Sequence, residues 1–187
     1  MEYSIKPKRF GRKENNPLPS KEDNWIIRMI MIKFGNENDD MNSAPFLFKT
    51  IEEMDNEVKF IVALSMKGKQ GCGINEEDNS ALGIILSECV PIYPDEDNLY
   101  EILFDNYVFH ITRNESYTGW DNYEIQKGKY FIIFEKSRLL DCLPQIVEQE
   151  IVEAFNPEGW KHYGIYCQNH IIDVIASEEP KIRKYSL

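Results

Sequence analysis

Short apolar runs broken by polar turns dominate the chain, and few segments carry the 3.6-residue period of an amphipathic helix. Trp25 to Phe34, with Ile26, Ile27, Ile30 and Ile32, predicts a strand, and the polar residues Gly35 to Asn42 predict a loop. Ala44 to Glu57 fits either a strand through Phe46, Phe48 and Ile51 or a short helix from Thr50. Val58 to Leu64 is a clear strand. Met66 to Ser80 reads as a long loop holding Gly68, Gly71 and Gly73 and the acidic run Glu76, Glu77 and Asp78. Ala81 to Val90 predicts a strand stopped by Pro91, with Pro94 and the acidic Asp95 to Asp97 in turns beyond it. Leu99 to Arg113 reads as a hairpin turning at Asp105-Asn106. Asn114 to Lys129 is polar with aromatics set into it, and Tyr130 to Phe134 is a strand.

Helical spacing shows in one region. Ser137 is a good N-cap, and Leu139, Leu140 and Leu143 then fall on one face. Pro144 is expected to interrupt that helix, with a second piece from Gln145 to Phe155 ended by Asn156-Pro157-Glu158-Gly159. Trp160 to Ile175 predicts a last hairpin turning at Gln168-Asn169, and a charged tail with Pro180 follows from Ser177. The sum is an α+β fold: a mainly antiparallel sheet of about seven or eight strands, with one or two helices near residues 137–155. The 23 Ile against only 5 Ala favour strands in the same way, since Ile is β-branched and Ala is the best helix former. Residues 1–22, with Pro7, Pro17 and Pro19 among charges, read as a basic flexible arm, and residues 23–187 as a single domain.

Charge sharpens this picture. The chain carries −11, but Lys6, Lys8, Arg9, Arg12 and Lys13 against Glu2 give residues 1–13 a local +4, which leaves −15 on the other 174 residues. A body this acidic repels phosphate backbones, so nucleic acid is an unlikely partner and a basic protein a suitable one. No membrane span is expected, because the longest apolar stretch, Trp25 to Ile32, is broken by Arg28. No apolar run precedes Trp25, so a cytoplasmic address is expected for the chain, without a secretory signal. Cys72, Cys89, Cys142 and Cys167 form no CxxC pair and are expected as free thiols, the last three as small hydrophobes among apolar neighbours.

Two constellations bear on chemistry. The last hairpin collects His162, Tyr163, Cys167, His170 and Asp173, and a thiol, an imidazole and a carboxylate are the ingredients of nucleophilic catalysis. Cys167 with His162 or His170 is therefore the alternative, enzymatic reading. The same hairpin offers imidazole and thiolate for zinc, but residues five apart on a strand point to opposite faces, so His162 and Cys167 diverge. The glycine-rich Gly68 to Gly73 lacks the phosphate-loop pattern, and Asp95 to Asn98 lacks the spacing of a calcium loop. No catalytic residue, metal or cofactor is assigned.

The second constellation is the stretch from Arg113 to Glu124. It sets Tyr117, Trp120 and Tyr123 among polar residues, where Trp, Tyr and Arg are the types that dominate protein interfaces. Arg113, Glu115, Tyr117, Trp120, Asp121 and Tyr123, with the acidic Glu76, Glu77 and Asp78, are the candidate partner-binding residues. The segments Arg113-Asn114-Glu115-Ser116, Lys129 to Lys136 and His162-Tyr163-Gly164-Ile165-Tyr166 look like those of small bacterial proteins. Through residues 81–176 the chain resembles the immunity proteins of bacterial polymorphic toxin systems, small acidic cytoplasmic domains that neutralise a cognate toxin. That resemblance implies a non-enzymatic binding protein that occludes the active site of a basic toxin domain, such as a nuclease, and it carries no functional residue over.

Overall fold

Nine strands, two bounded α-helices and further helical residues at 150, 151 and 154, within the second helical piece expected over 145–155, form among the residues that the computed structural model describes, which are 32–37, 41–70, 81–119, 121–148, 150–151, 154, 156 and 158–186. In chain order they are β1 (Phe46–Glu52), β2 (Val58–Lys67), α1 (Ala81–Glu88), β3 (Ile92–Phe104) and β4 (Tyr107–Asn114). A 3₁₀ turn (Glu115–Tyr117), β5 (Ile125–Lys127), β6 (Phe131–Lys136) and α2 (Arg138–Ile146) follow. The chain closes with β7 (Lys161–Tyr166), β8 (His170–Ala176) and β9 (Lys181–Tyr185). Every strand pairing is antiparallel, and the strands divide into two sheets, β1-β2-β3-β9 and β4-β8-β7-β6-β5. The α+β class with a predominance of antiparallel sheet is thus the observed one.

One core cluster draws on both sheets. Phe60, Val62, Ile102 and Phe104 from the first meet Phe131, Tyr163, Ile165, Ile172 and Val174 from the second. Phe34 is wedged among them, edge-on to Phe104, Phe131 and Tyr163 at centroid distances of 6.2, 5.4 and 5.4 Å. Each such edge contact adds about 0.5–1.5 kcal/mol beyond the area it buries. Gly128 pins this entry segment: its φ is +100°, and a Cβ there would stand 2.3 Å from the Phe131 carbonyl oxygen. That same carbonyl accepts from the Gly35 amide at 2.8 Å. The sheets are also tied at one end by Asn169 in the β7–β8 turn. Its side-chain amide accepts from Leu47 N (2.9 Å) and donates to Leu47 O (3.0 Å), taking the place of a strand neighbour for β1.

The expected strand at Val58 to Leu64 and the hairpin at Trp160 to Ile175 with its Gln168-Asn169 turn are present. Ser137 caps α2, its hydroxyl accepting from Leu140 N at 3.1 Å. Several expectations are corrected. Residues 81–88 are helical, not a strand, because a short apolar run has no decisive period. Pro144 stays inside α2, because the helix ends two residues later and loses only one backbone bond to it. Leu99 to Arg113 is not a hairpin. The Asp105-Asn106 turn is where expected, but it carries the chain from one sheet to the other.

The charged tail is also a strand. Arg183 of β9 lies opposite the buried Glu101 of β3 and pairs with it at 2.7 Å, while Ile182 packs on the core. Residues 92–95 belong to β3, and Pro94 is accommodated because β9 covers only Leu99 to Leu103, leaving its edge unpaired. β5 is a short strand inside the stretch read as polar with aromatics set into it. Phe46–Glu52 resolves the ambiguous segment as strand. Of the expected strand at Trp25 to Phe34 only residues 32–34 are described, and they are irregular. The arm at residues 1–22 lies outside the described residues.

One core residue is imperfectly satisfied. Tyr163 is fully buried, its hydroxyl has no hydrogen-bond partner, and burial pushes its ionisation well above the usual phenol range. Tyr163→Phe removes a buried orphan group and is expected to raise stability by about 1 kcal/mol. Urea unfolding checks this: a higher midpoint at an unchanged slope is expected, and a lower midpoint would mean the hydroxyl is bonded after all.

Candidate functional site

Side chains alternate across a strand, so the residues of β7 and β8 sort into two sets. Tyr163, Ile165, Ile172 and Val174 face the inter-sheet core, and Cys167 just beyond β7 packs with them. His162, Gly164, Tyr166 and Asp173 lie on the opposite, outer face. There a cleft of about 680 Å³ is lined by β4, β7, β8, α2 and residues 118, 119, 121 and 124–126. That size is within the range of about 300–1,000 Å³ found for small-molecule sites. Its polar floor is Arg113, His162, Tyr166 and Asp173, and Ile111, Ile125 and Leu139 supply apolar wall.

The floor is a linear relay. Arg113 Nε donates to Asp173 Oδ2 at 3.1 Å, and His162 Nε2 donates to Asp173 Oδ1 at 3.1 Å. His162 is 2% exposed and Asp173 4%, so this carboxylate and imidazole are removed from water and depend on each other. Phe134 stacks on the imidazole with centroids 3.9 Å apart and planes 5° from parallel. Gly164 makes room for that stack: a Cβ at this position would stand 3.1 Å from the Phe134 ring and 3.2 Å from the Tyr166 ring. Nε2 is spent on Asp173, and the buried Nδ1 has no partner. Tyr166 is pushed up to about 12, first by burial and then by the Asp173 charge, with Arg113 opposing, so its hydroxyl stays protonated at neutral pH.

The mouth is held by a second network. Asp121 accepts from the Arg138 guanidinium on both oxygens and from Tyr123 N at 2.9 Å. The Arg138 contact, followed by the Tyr123 amide, holds the Asp121 carboxyl below its usual range. Glu124 accepts from Arg138 N at 3.2 Å, fixing the start of α2. Tyr123 is held against α2: its hydroxyl donates to Asp141 at 2.5 Å, and Lys136 and Arg138 lie over its ring at 3.6 and 4.7 Å. Tyr117, by contrast, stands 88% exposed on the 3₁₀ turn, one residue before the cleft-lining Thr118. Glu115 opens that turn and is half-buried.

Of the residues selected from sequence, Arg113 and Asp121 line the cleft, and Glu115, Tyr117 and Tyr123 flank it. Trp120, Glu76, Glu77 and Asp78 lie outside the described residues, as does Cys72. The hairpin ingredients divide. His162 and Asp173 come together, whereas Cys167 is on the core side of the same strand pair, as alternation requires. Burial pushes the Cys167 thiol up to about 12. Cys167 and His170 do flank the turn, joined by a backbone bond of 2.8 Å from Cys167 N to His170 O. Cys89 and Cys142 are exposed, correcting their placement among apolar neighbours; Cys142 lies on the solvent side of the amphipathic α2. Among the described residues, no three His, Cys, Asp or Glu side chains group as a metal-ion site. Sequence reading missed Thr118, Glu124 and Arg138 as parts of one site; the spacing of Asp121 and Glu124 ahead of the Ser137 cap was the available signal.

The arrangement can hold an amphipathic group against Ile111, Ile125 and Leu139. Thr118 Oγ1 is also buried without a partner, so it and the imidazole are not bonded to each other as a nucleophile and base would be. No protein-family model matches the chain, and neither a curated protein nor a solved structure matches it.

Two outcomes are expected here. Asp173→Ala breaks a buried pair and should cost on the order of 2–4 kcal/mol in chemical unfolding. Asp121→Ala, at an exposed pair, should leave the unfolding midpoint nearly unchanged. Similar losses for the two would remove the distinction between buried floor and exposed mouth. Alkylation of the folded protein by iodoacetamide at pH 8, read by peptide mass mapping, should modify Cys89 and Cys142 and spare Cys167. A thiol at about 12 is thiolate only in about one molecule in 10⁴ at that pH.

Proposed function

We propose that this chain is a non-enzymatic, acidic binding protein of the immunity-factor type, which acts in the cytoplasm by covering the active site of a cognate basic toxin domain. The observation that carries the reading is Tyr117, an 88% exposed ring fixed on a short turn at the mouth of an amphipathic cleft. Exposed Ile111 and Ile125 extend that apolar mouth, and Asp121 and Glu124 charge it. An aromatic anchor ringed by charge is the usual make-up of an interface centre. The net charge of −11 favours fast encounter with a basic partner. A specific complex of this kind covers about 1,600 Å² in total, so the contact extends well beyond the cleft and its rim. The buried, high-pKa Cys167 on the other side of the sheet favours binding over thiol chemistry. Among the described residues no helix is long and apolar enough to cross a membrane.

Affinity capture with the full chain, followed by titration at several salt concentrations, tests this. A basic protein whose binding weakens with salt is expected, and Tyr117→Ala should weaken it by about tenfold or more without lowering the melting temperature. Recovery of only neutral or acidic partners, insensitive to salt, would overturn the reading.

A further inference from the structure

We propose that this protein self-associates through a protruding two-stranded ribbon of the first sheet, which stacks on the same ribbon of a second copy around a two-fold axis. The ribbon belongs to the sheet that does not carry the cleft, so the inference goes beyond the binding reading and does not depend on it. Residues 64–67 of β2 pair with residues 92–95 of β3. β1 begins at Phe46 opposite Ala63, and β9 ends at Tyr185 opposite Leu99, so among the described residues these two stretches are in the ladder only with each other. A bulge at residues 96–98 of β3 marks the base of the ribbon, since Ala63 pairs with Leu99 and Leu64 already with Asp95. Asp95 holds the bulge, accepting from Asp97 N at 3.2 Å and from Asn98 Nδ2 at 2.6 Å.

One face of the ribbon is core face without a cover. Val58, Phe60, Val62 and Leu64 alternate along β2 into the core between the sheets, and Met66 follows in the same period. Leu64 is 9% exposed, whereas Met66 is 46% and its cross-strand partner Tyr93 44%. The Tyr93 ring lies across Gly68, where a Cβ would stand 2.6 Å from it. Water serves this apolar ledge poorly. Charge selects its occupant. Lys67 and Lys69 are exposed at the tip and Glu96 and Asp97 at the base, with Lys67 three to four residues, about 10–13 Å, from the base. A uniformly basic partner is repelled at the tip, and a uniformly acidic one at the base. A second copy stacked antiparallel on the first sets each tip over the other's base, so one symmetry operation satisfies both ends. Pro94 lacks the amide that strand addition along β3 needs, which leaves stacking face to face. A ribbon of this length is small beside a standard interface of about 1,600 Å², so the dimer is weak and depends on concentration.

The test is sedimentation velocity on the full chain over about a hundredfold range of concentration, at low and high salt. A mass rising from one chain toward two, less so at high salt, is expected. Two charge variants decide the geometry: Lys67→Glu with Lys69→Glu makes both ends acidic, and Glu96→Lys with Asp97→Lys makes both basic. Each alone should weaken self-association by about tenfold or more at an unchanged melting temperature, and an equimolar mixture of the two should restore it. Met66→Gln with Tyr93→Gln should weaken it by a similar factor. A chain that stays monomeric at every concentration, charge variants that associate like the original, or a mixture that stays monomeric overturns the proposal. So does association that survives Met66→Gln with Tyr93→Gln, which places the contact elsewhere. A monomeric chain that loses a captured partner on those two substitutions assigns the ledge to that partner and refutes the second copy.

Discussion

Burial of the second sheet on both faces is the constraint from which the site follows. Tyr163, Ile165, Ile172 and Val174 are sealed against the first sheet, while Ile132, Phe134 and Ile175 are sealed on the other side. A strand in the middle of such a sheet has no solvent-facing positions to spare for charge. Asp173 nevertheless occupies one, 4% exposed. A carboxylate there is tolerable only if both oxygens are bonded, and the two neighbouring strands provide the donors: Arg113 from β4 and His162 from β7. The orientation of the His162 ring is a consequence of satisfying Asp173.

Packing determines that this polar relay is held rigidly. Gly164 lacks the side chain that would collide with Phe134 and Tyr166, so Phe134 can lie flat on the imidazole. The two-sheet arrangement is fixed by equally local devices. Asn169 imitates a strand for Leu47, and His110 reaches Glu52 across the sheets at 3.0 Å. These contacts stand at different places around one shared core, and the outer face of the second sheet inherits its geometry from them.

Much of this was legible in the chain. Val58 to Leu64, the Gln168-Asn169 hairpin and the Ser137 cap were read from period, turn chemistry and capping alone, because local physics decides them. The elements misread are those decided by remote partners. Nothing near Asp105-Asn106 distinguishes a hairpin from a crossing between sheets; the difference is that β3 has β2 and β9 on its edges. Lys181 to Tyr185 looks like a solvated tail until Glu101, 82 residues earlier, places a buried carboxylate opposite Arg183. The site shows the same division. Asp173 and His162 stood out as ingredients, and alternation already separated Cys167 from His162. Arg113 was selected for its place in an aromatic loop, and its partnership with Asp173 across two strands could not be read from spacing.

Long-range charge and local contact bear differently on how an acidic protein of this kind would choose its partner. Net charge acts over a Debye length and sets encounter rate, so it favours any basic surface alike. Selectivity has to come from groups whose satisfaction depends on one geometry. The solvated carboxylates of the surface are poor candidates, since water serves them in the free state as well as a partner does. The exposed Tyr117, Ile111 and Ile125 are different, because water serves their apolar surface poorly. On the proposed reading, the acidic exterior gathers candidates, and the shape of the apolar mouth discriminates among them.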